Sequence, residues 1–514
     1  MAHVVGVTED AAPDELAPGR AAHGLPDRID VALLGVIVLA AFLRFWRIGA
    51  QSLWFDEYLT TVDVSHGLGR MLFTTLGHVE GTPPLYYVLE WGWVRVVGHG
   101  DAAVRSLSAV FGIATVPMAY LVARRLHQSA RVARIVALLV AVSPLFVWFS
   151  QEARSYALLV FLASVSLYFC ARAVEAETDT DFLLWGLASA AALATHYFAA
   201  VLIVPEAVWL LLAHRPWRRV ALGALPIVVA AVPLLVLAEV QSKKHNWIAD
   251  WPLSQRLAET GRQLLLGIPE PLDHWWPLVA ALLVAPIVLV VWRGRPRERS
   301  TALVMSALVV GGLVLALLLA AIGTDLVLGR YLIALVLPLF LAAAIGFGAR
   351  RAGWVGVAAA LALCALWTGL VVDSATGSTL HKPDWRAVSK VLATGGGDRV
   401  VVVDDYLGQP LLRYAHHPDV VARNKTVRVR RIDLLYHVPP PKQRCGRWSG
   451  LACEVFFFPL LPKSLQPHFL LVAKIEFDGF TLNRYAAAQP VPVRPRQLLS
   501  KGRFGGMVYF PNGR

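Results

Sequence analysis

The residues best equipped for chemistry lie in Gln51 to Thr60, QSLWFDEYLT, where Asp56 and Glu57 stand side by side behind the aromatic pair Trp54 and Phe55. Two adjacent carboxylates beside an apolar segment are costly to take out of water. They are therefore either solvated caps on the next helix or groups held for acid-base or ligand chemistry. A second charged group, Glu152 and Arg154, sits in SQEAR between two apolar runs, where it is either a local ion pair or a second acid and base brought to the first. The cations at unusual places are Arg105 and Arg330, each at the start of an apolar run, and Lys243 and Lys244 in a polar interval. Such groups either hold anionic oxygens or reach out to the headgroup level, and loop lysines are usually just solvated. His196 lies inside an apolar stretch, as a polar donor or a satisfied structural histidine.

The elements that must position these residues are membrane helices. With 57% hydrophobic and 16% charged residues in 514, and a mean hydropathy of +0.56, the chain is far from the ~25% charged fraction of soluble proteins. The fold class expected is an all-α polytopic membrane protein. The net charge of +13 does not indicate nucleic acid, because Lys and Arg fall in short clusters between apolar runs, as orientation signals do.

Apolar runs cover residues 30–47, 104–123, 132–149, 155–173, 219–238, 275–292, 301–323, 331–348 and 354–372. The stretch 182–213 is too long for one upright span and carries His196-Tyr197 near its middle, so it is expected to be two helices joined there; the total is about 11 spans. With the N-terminus cytoplasmic, the four arginine clusters (Arg124 to Arg134, Arg215 to Arg219, Arg293 to Arg299, Arg350-Arg351) all fall inside. This parity requires that Pro83 to Gly98, with Tyr86, Tyr87, Glu90 and Arg95, lies at the interface rather than spanning.

Residues 1–28 are expected to be a disordered cytoplasmic tail, not a secretory signal, and residues 29–373 the membrane domain with a first outer loop over 48–103. Residues 374–514 are long enough for a small extracytoplasmic α/β domain, with strands at Val400 to Val403, Val455 to Phe458 and Phe469 to Ile475 and a helix from Asp384 through Leu392. Cys445 and Cys453 could form a disulfide in that setting. No P-loop, GxGxxG or zinc-ligand spacing occurs, which argues against a nucleotide-binding enzyme or a nucleotide-driven pump.

The ordered set LWFDE, PPLYY, AVRSLSAVFG, WFSQEARSYALL, THYFA and GRYLI resembles the C superfamily of membrane glycosyltransferases, over roughly residues 30–348. Within it, the chain is similar to the bacterial branch of protein O-mannosyltransferases and lipid A aminoarabinose transferases, the glycosyltransferase family 39-like proteins. The resemblance implies an inverting transfer of one mannose- or pentose-like sugar from a polyprenyl-phosphate donor to a lipid, protein or polysaccharide acceptor. The site would lie on the outer face of the plasma membrane, so no nucleotide sugar would be used directly.

Under that reading Asp56 is the base or acceptor-positioning carboxylate, with Glu57 and Glu152 in support. Arg154, Arg330, Arg105, His196, Lys243 and Lys244 bind lipid phosphate or sugar. Tyr86 and Tyr87 line the acceptor or sugar groove, unless they belong to an interfacial aromatic belt. Asp56 and Glu152 could hold a divalent metal ion, but the loop lacks a clear DxD, so no cofactor is assigned. A lipid-linked glycan flippase would instead place charges along a path through several spans, whereas these spans are nearly free of Asp, Glu and Lys. A non-catalytic wall-assembly protein would make Asp56 dispensable.

Overall fold

The structure, a computed structural model, describes residues 30–77, 81–176, 178–213, 217–241, 248, 252–267, 275–324, 327–376, 383–393, 398–404, 408–415, 419–421, 425–437, 461–477, 480–498 and 506–510. Each apolar run of the sequence forms a helix over most of its length. The membrane domain contains α1 (Val31–Phe45), α2 (Phe55–Ser65), α3 (Leu68–Gly77), α4 (Leu85–Val97), α5 (Asp101–His127), α6 (Ala130–Val142), α7 (Pro144–Ser150) and α8 (Tyr156–Ala176). It continues with α9 (Asp179–Thr195), α10 (Ala200–Ala213), α11 (Trp217–Gln241), α12 (Leu253–Leu266), α13 (Trp276–Arg293), α14 (Pro296–Ala321), α15 (Val336–Gly348) and α16 (Gly353–Thr376). Among the described residues six helices are long and apolar enough to cross a bilayer alone, and α6 with α7 makes a seventh span bent by 56°. α1, the segment Tyr197–Ala213 and the segment Ile333–Gly348 are shorter apolar helices.

Burial separates the bundle into a centre and a lipid-facing rim. Every residue of α15 from Val336 to Phe347 except Leu339 is buried, as an all-round apolar helix must be. α11 and α13 bury only 17% of their apolar windows, so Leu235, Val236 and Val288 point to surface that only lipid can cover favourably.

Two breaks shape the end of the bundle where the candidate residues gather. Pro144 has no N–H for the Val140 carbonyl and bends α6 into α7. The freed carbonyls of Val140 and Ala141 accept instead from the buried Arg44 guanidinium on α1, at 3.1 and 2.9 Å, while Arg44 Nε donates to Ser150 Oγ at 3.2 Å. Gly112 on α5 makes room for this, because a Cβ there would collide with Ser150. In return Gln151 Nε2 donates to the last carbonyls of α1, those of Leu43, Arg44 and Trp46. The second break is at His196, as expected, where Nδ1 accepts the Phe198 amide at 3.2 Å and caps the next turn.

The basic clusters share the opposite end of the bundle. Arg134 pairs with Asp30 at 2.9 Å, Arg125 with Glu175 at 3.0 Å and Arg219 with Asp179 at 3.1 Å. Arg131 donates to the Gly353 carbonyl, and Arg351 to that of Arg293 at 2.6 Å.

The C-terminal region has α17 (Trp385–Ala393), α18 (Leu411–Tyr414) and strands β1 (Arg399–Asp404), β2 (Asp419–Val420), β3 (Val427–His437), β4 (Leu470–Phe477), β5 (Phe480–Val493) and β6 (Gly506–Phe510). These strands form one mixed sheet in the order β2-β6-β1-β3-β5-β4, with β1 and β3 parallel. Along β1, Val400 and Val402 pack on one face while Val401 and Val403 pack under α17 and α18 on the other, the period of two that a doubly covered strand requires. The expected strands at 400–403 and 469–475 and the helix at 384–392 are present; the strand expected at 455–458 and both Cys445 and Cys453 lie outside the described residues.

Candidate active site

Asp56 and Glu57 begin α2, and the helix sends them in different directions. Glu57 is fully buried, and its carboxylate takes Arg105 Nε and Nη2, each at 2.7 Å, the Ala153 amide at 3.1 Å and the Trp54 amide at 3.3 Å. The Trp54 bond closes the first turn of α2. Arg105 gives its remaining donors to the carbonyls of Ile48, Gln51 and Ser52 at 2.8 to 3.0 Å. A guanidinium so enclosed has no fork left for a lipid phosphate. The sequence expectation for Arg105 as a phosphate ligand, and for Glu57 as a catalytic carboxylate, therefore gives way to a structural role: the pair ties α2, α5 and the loop after α7 together.

Asp56, by contrast, keeps its carboxylate partly open, 23% exposed beside Arg330 Nη1 at 3.7 Å. Arg330 is carried by a short 3-10 turn, Gly329–Tyr331, which lies close on α12; a Cβ at Gly329 would stand 2.6 Å from Gln263 Oε1. The Arg330 guanidinium also lies 5.2 Å from the centre of the Tyr331 ring. Arg154 reaches the same place from the loop after α7, donating to the Asp56 carbonyl at 3.3 Å and Thr60 Oγ1 at 3.4 Å, with its guanidinium 5.9 Å from the Tyr87 ring centre. Asp56, Arg154 and Arg330 are all within electrostatic reach of the Tyr156 side chain. The Arg154 and Arg330 guanidiniums beside Asp56 bring to the cleft donors of the kind that hold anionic oxygens.

The remaining expected residues fall around this core. Glu152 is buried, and its carbonyl accepts the Arg154 amide at 2.8 Å, so it shapes the turn that delivers Arg154. His196 is buried with its ring 5.7 Å from that of Tyr156 and 5.4 Å from that of Tyr331, one shell behind Arg330. Tyr86 and Tyr87 are fully buried, correcting their expected place in an open groove. Tyr86 Oη bonds Ser108 at 3.1 Å, Tyr87 Oη bonds Thr82 at 3.0 Å, and the Tyr87 ring lies 5.9 Å from the Arg154 guanidinium. Burial pushes the neighbouring Glu90 carboxyl well above its usual range, with the Tyr86 hydroxyl at 3.4 Å opposing this weakly. Lys243 and Lys244 lie outside the described residues. Among the described residues no three His, Cys, Asp or Glu side chains converge as metal ligands.

Sequence reasoning missed Tyr156, Thr60 and Tyr331. Tyr156 stands in the SQEARSYALL segment and Tyr331 in GRYLI, each next to a residue already singled out. It also missed Asp101, which receives Tyr414, Arg413 and Arg386 from the C-terminal region.

The profile of the family described as dolichyl-phosphate-mannose-protein mannosyltransferase matches residues 81–241. Among curated proteins none matches the chain. Among solved structures the chain is similar to ArnT from Cupriavidus metallidurans bound to undecaprenyl phosphate, with 14% identity and a TM-score of 0.54 over 88% of this chain and 97% of that one. It also aligns with the oligosaccharyltransferase of Archaeoglobus fulgidus, at 13% identity, TM-score 0.45, over 72% of this chain and 58% of that one. The protein O-mannosyltransferase Pmt1–Pmt2 complex of S. cerevisiae aligns at 17% identity, TM-score 0.32, over 42% of this chain and 33% of that one. The apolar helices and the fold shared with the ArnT structure make this a multi-pass membrane protein, and about a third of it, residues 81–241, matches the mannosyltransferase family. Its fold is similar to that of the ArnT structure over 88% of the chain.

Proposed function

We propose that the protein transfers a single sugar, mannose- or pentose-like, from a polyprenyl phosphate to a hydroxyl of a lipid, protein or polysaccharide, with inversion at the anomeric carbon. The observation that carries this reading is the Asp56–Arg330 pair, open at the end of the bundle opposite the arginine clusters. If those clusters are cytoplasmic, as their charge favours, the site faces the other side of the plasma membrane, with the C-terminal domain beside it. The matched family's description names a dolichyl-phosphate sugar, and the ArnT structure holds undecaprenyl phosphate.

Asp56 accepts the proton of the acceptor hydroxyl as its oxygen attacks the anomeric carbon. The bond from that carbon to the phosphate oxygen breaks, and the electron pair leaves on the polyprenyl phosphate. Arg330 and Arg154 meet the charge that grows on the departing phosphate, in a cleft where neither needs to reorganise far. Thr60 and the Asp56 carbonyl fix Arg154 for this task.

The test uses membranes carrying the wild type or Asp56→Asn, supplied with labelled polyprenyl-phosphate sugars. Transfer should fall by about 10² to 10⁴ in the variant, the usual contribution of a positioned base. Full transfer by Asp56→Asn sinks the catalytic assignment, and transfer from a nucleotide sugar without a lipid carrier sinks the donor.

A further inference from the structure

The stretch Gly49 to Leu53, which feeds α2 and Asp56, is held from two sides. From the bundle, Arg105 takes the carbonyls of Ile48, Gln51 and Ser52. From the C-terminal domain, Tyr414 Oη accepts the Leu53 amide at 2.8 Å and donates to Asp101 Oδ2 at 2.6 Å. Arg386 donates to the Gly49 and Ala50 carbonyls, each at 2.9 Å, and its own amide bonds Ser52 Oγ at 3.2 Å. Arg413 Nε reaches Asp101 Oδ1 at 2.9 Å and Arg413 Nη2 reaches the His99 carbonyl at 2.6 Å.

These contacts differ in what they grip. Arg413 binds the start of α5 and only docks the domain. Tyr414 alone joins the domain to the Leu53 amide, one residue before the turn that opens α2. Leu53 itself is fully buried, so its N–H has no water to fall back on. We infer that Tyr414 is a positioning residue for the transfer reaction: through the Leu53 amide, the C-terminal domain sets where α2 begins and so where Asp56 points. The inference rests on the catalytic reading of Asp56. It makes the C-terminal domain a working part of the active site, although among its described residues no side chain pairs with the Asp56 carboxylate.

The full-length protein in detergent or nanodiscs decides this with two variants and two readouts. Tyr414→Phe removes the bonds to Leu53 and to Asp101 but keeps the ring and the Arg386 and Arg413 contacts to Asp101. Arg413→Gln loosens docking and leaves the Leu53 bond in place. Tyr414→Phe should lower kcat about tenfold at unchanged KM for the donor, as a misplaced catalytic group does, and should speed amide exchange in the peptide spanning residues 52–58. Arg413→Gln should change both much less. Equal losses in the two variants would reduce Tyr414 to a docking residue, and unchanged turnover with unchanged exchange in Tyr414→Phe would overturn the inference outright. If the wild type transfers no sugar at all, the functional reading fails; faster exchange in Tyr414→Phe would still establish the clamp, and unaltered exchange would remove it too.

Discussion

Glu57 and Arg105 form a two-pronged ion pair with both contacts at 2.7 Å and both side chains all but sealed from solvent. This pairing divides the labour between two neighbouring carboxylates. Glu57 is tied into the scaffold, and Asp56, one residue earlier, is left with an open oxygen.

Replacing Glu57 with Gln should therefore damage folding before it damages chemistry. It strands a buried guanidinium, which costs about 3 to 5 kcal/mol when one partner of such a pair is lost. Thermal unfolding in detergent should show a large drop in midpoint, whereas Asp56→Asn, at a partly exposed pair, should stay within about 1 kcal/mol of the wild type. Equal midpoints for the two variants would contradict the division.

Arg330 should govern donor affinity. Arg330→Ala removes a charge-assisted contact to phosphate, about 1.5 to 3 kcal/mol, and should raise KM for the lipid donor roughly 10- to 100-fold. Arg330→Lys should recover part of this, since lysine keeps the charge but not the fork. A variant with unaltered donor KM would move the phosphate elsewhere.

Arg44→Met should loosen the turn that carries Glu152 and Arg154. It leaves the Val140 and Ala141 carbonyls without their guanidinium, and each buried orphan acceptor costs about 1 to 3 kcal/mol. Hydrogen exchange should rise over residues 144–154 specifically, and a uniform change across the bundle would argue against this account of the Pro144 bend.

Glu90 gives a pH dependence with a defined sign. Its folded-state pKa lies well above the ordinary 4.5 because burial favours the neutral acid. The folded state then binds more protons than the unfolded state above pH about 4.5, so this group lowers stability as pH rises through that window. Glu90→Gln should melt above the wild type at pH 8, with the gap closing towards pH 4. A gap independent of pH would assign the effect to packing.

The helical bundle was legible because lipid forces long apolar runs, although against about 11 expected spans the described residues hold six or seven helices long enough to cross a bilayer and three shorter apolar ones. The break at His196 and the short helix after Pro84 followed from length and charge alone. Which of Asp56 and Glu57 faces the cleft was not legible: it depends on Arg105, 48 residues away, and sequence offers no sign that this arginine turns inward. Arg44 and Gln151 are equally silent, since their partners are main-chain carbonyls that any sequence provides. Tyr86 and Tyr87 misled because an aromatic pair at a membrane boundary has the same composition whether it faces lipid, ligand or core.

Leu53 and Tyr414 meet across 361 residues of chain. At about 5 to 20 residues per second of synthesis, tens of seconds separate the emergence of α2 from that of the tyrosine bonded just before it. A nascent chain can thus thread its helices into the membrane well before the start of α2 gains its contact from the C-terminal region.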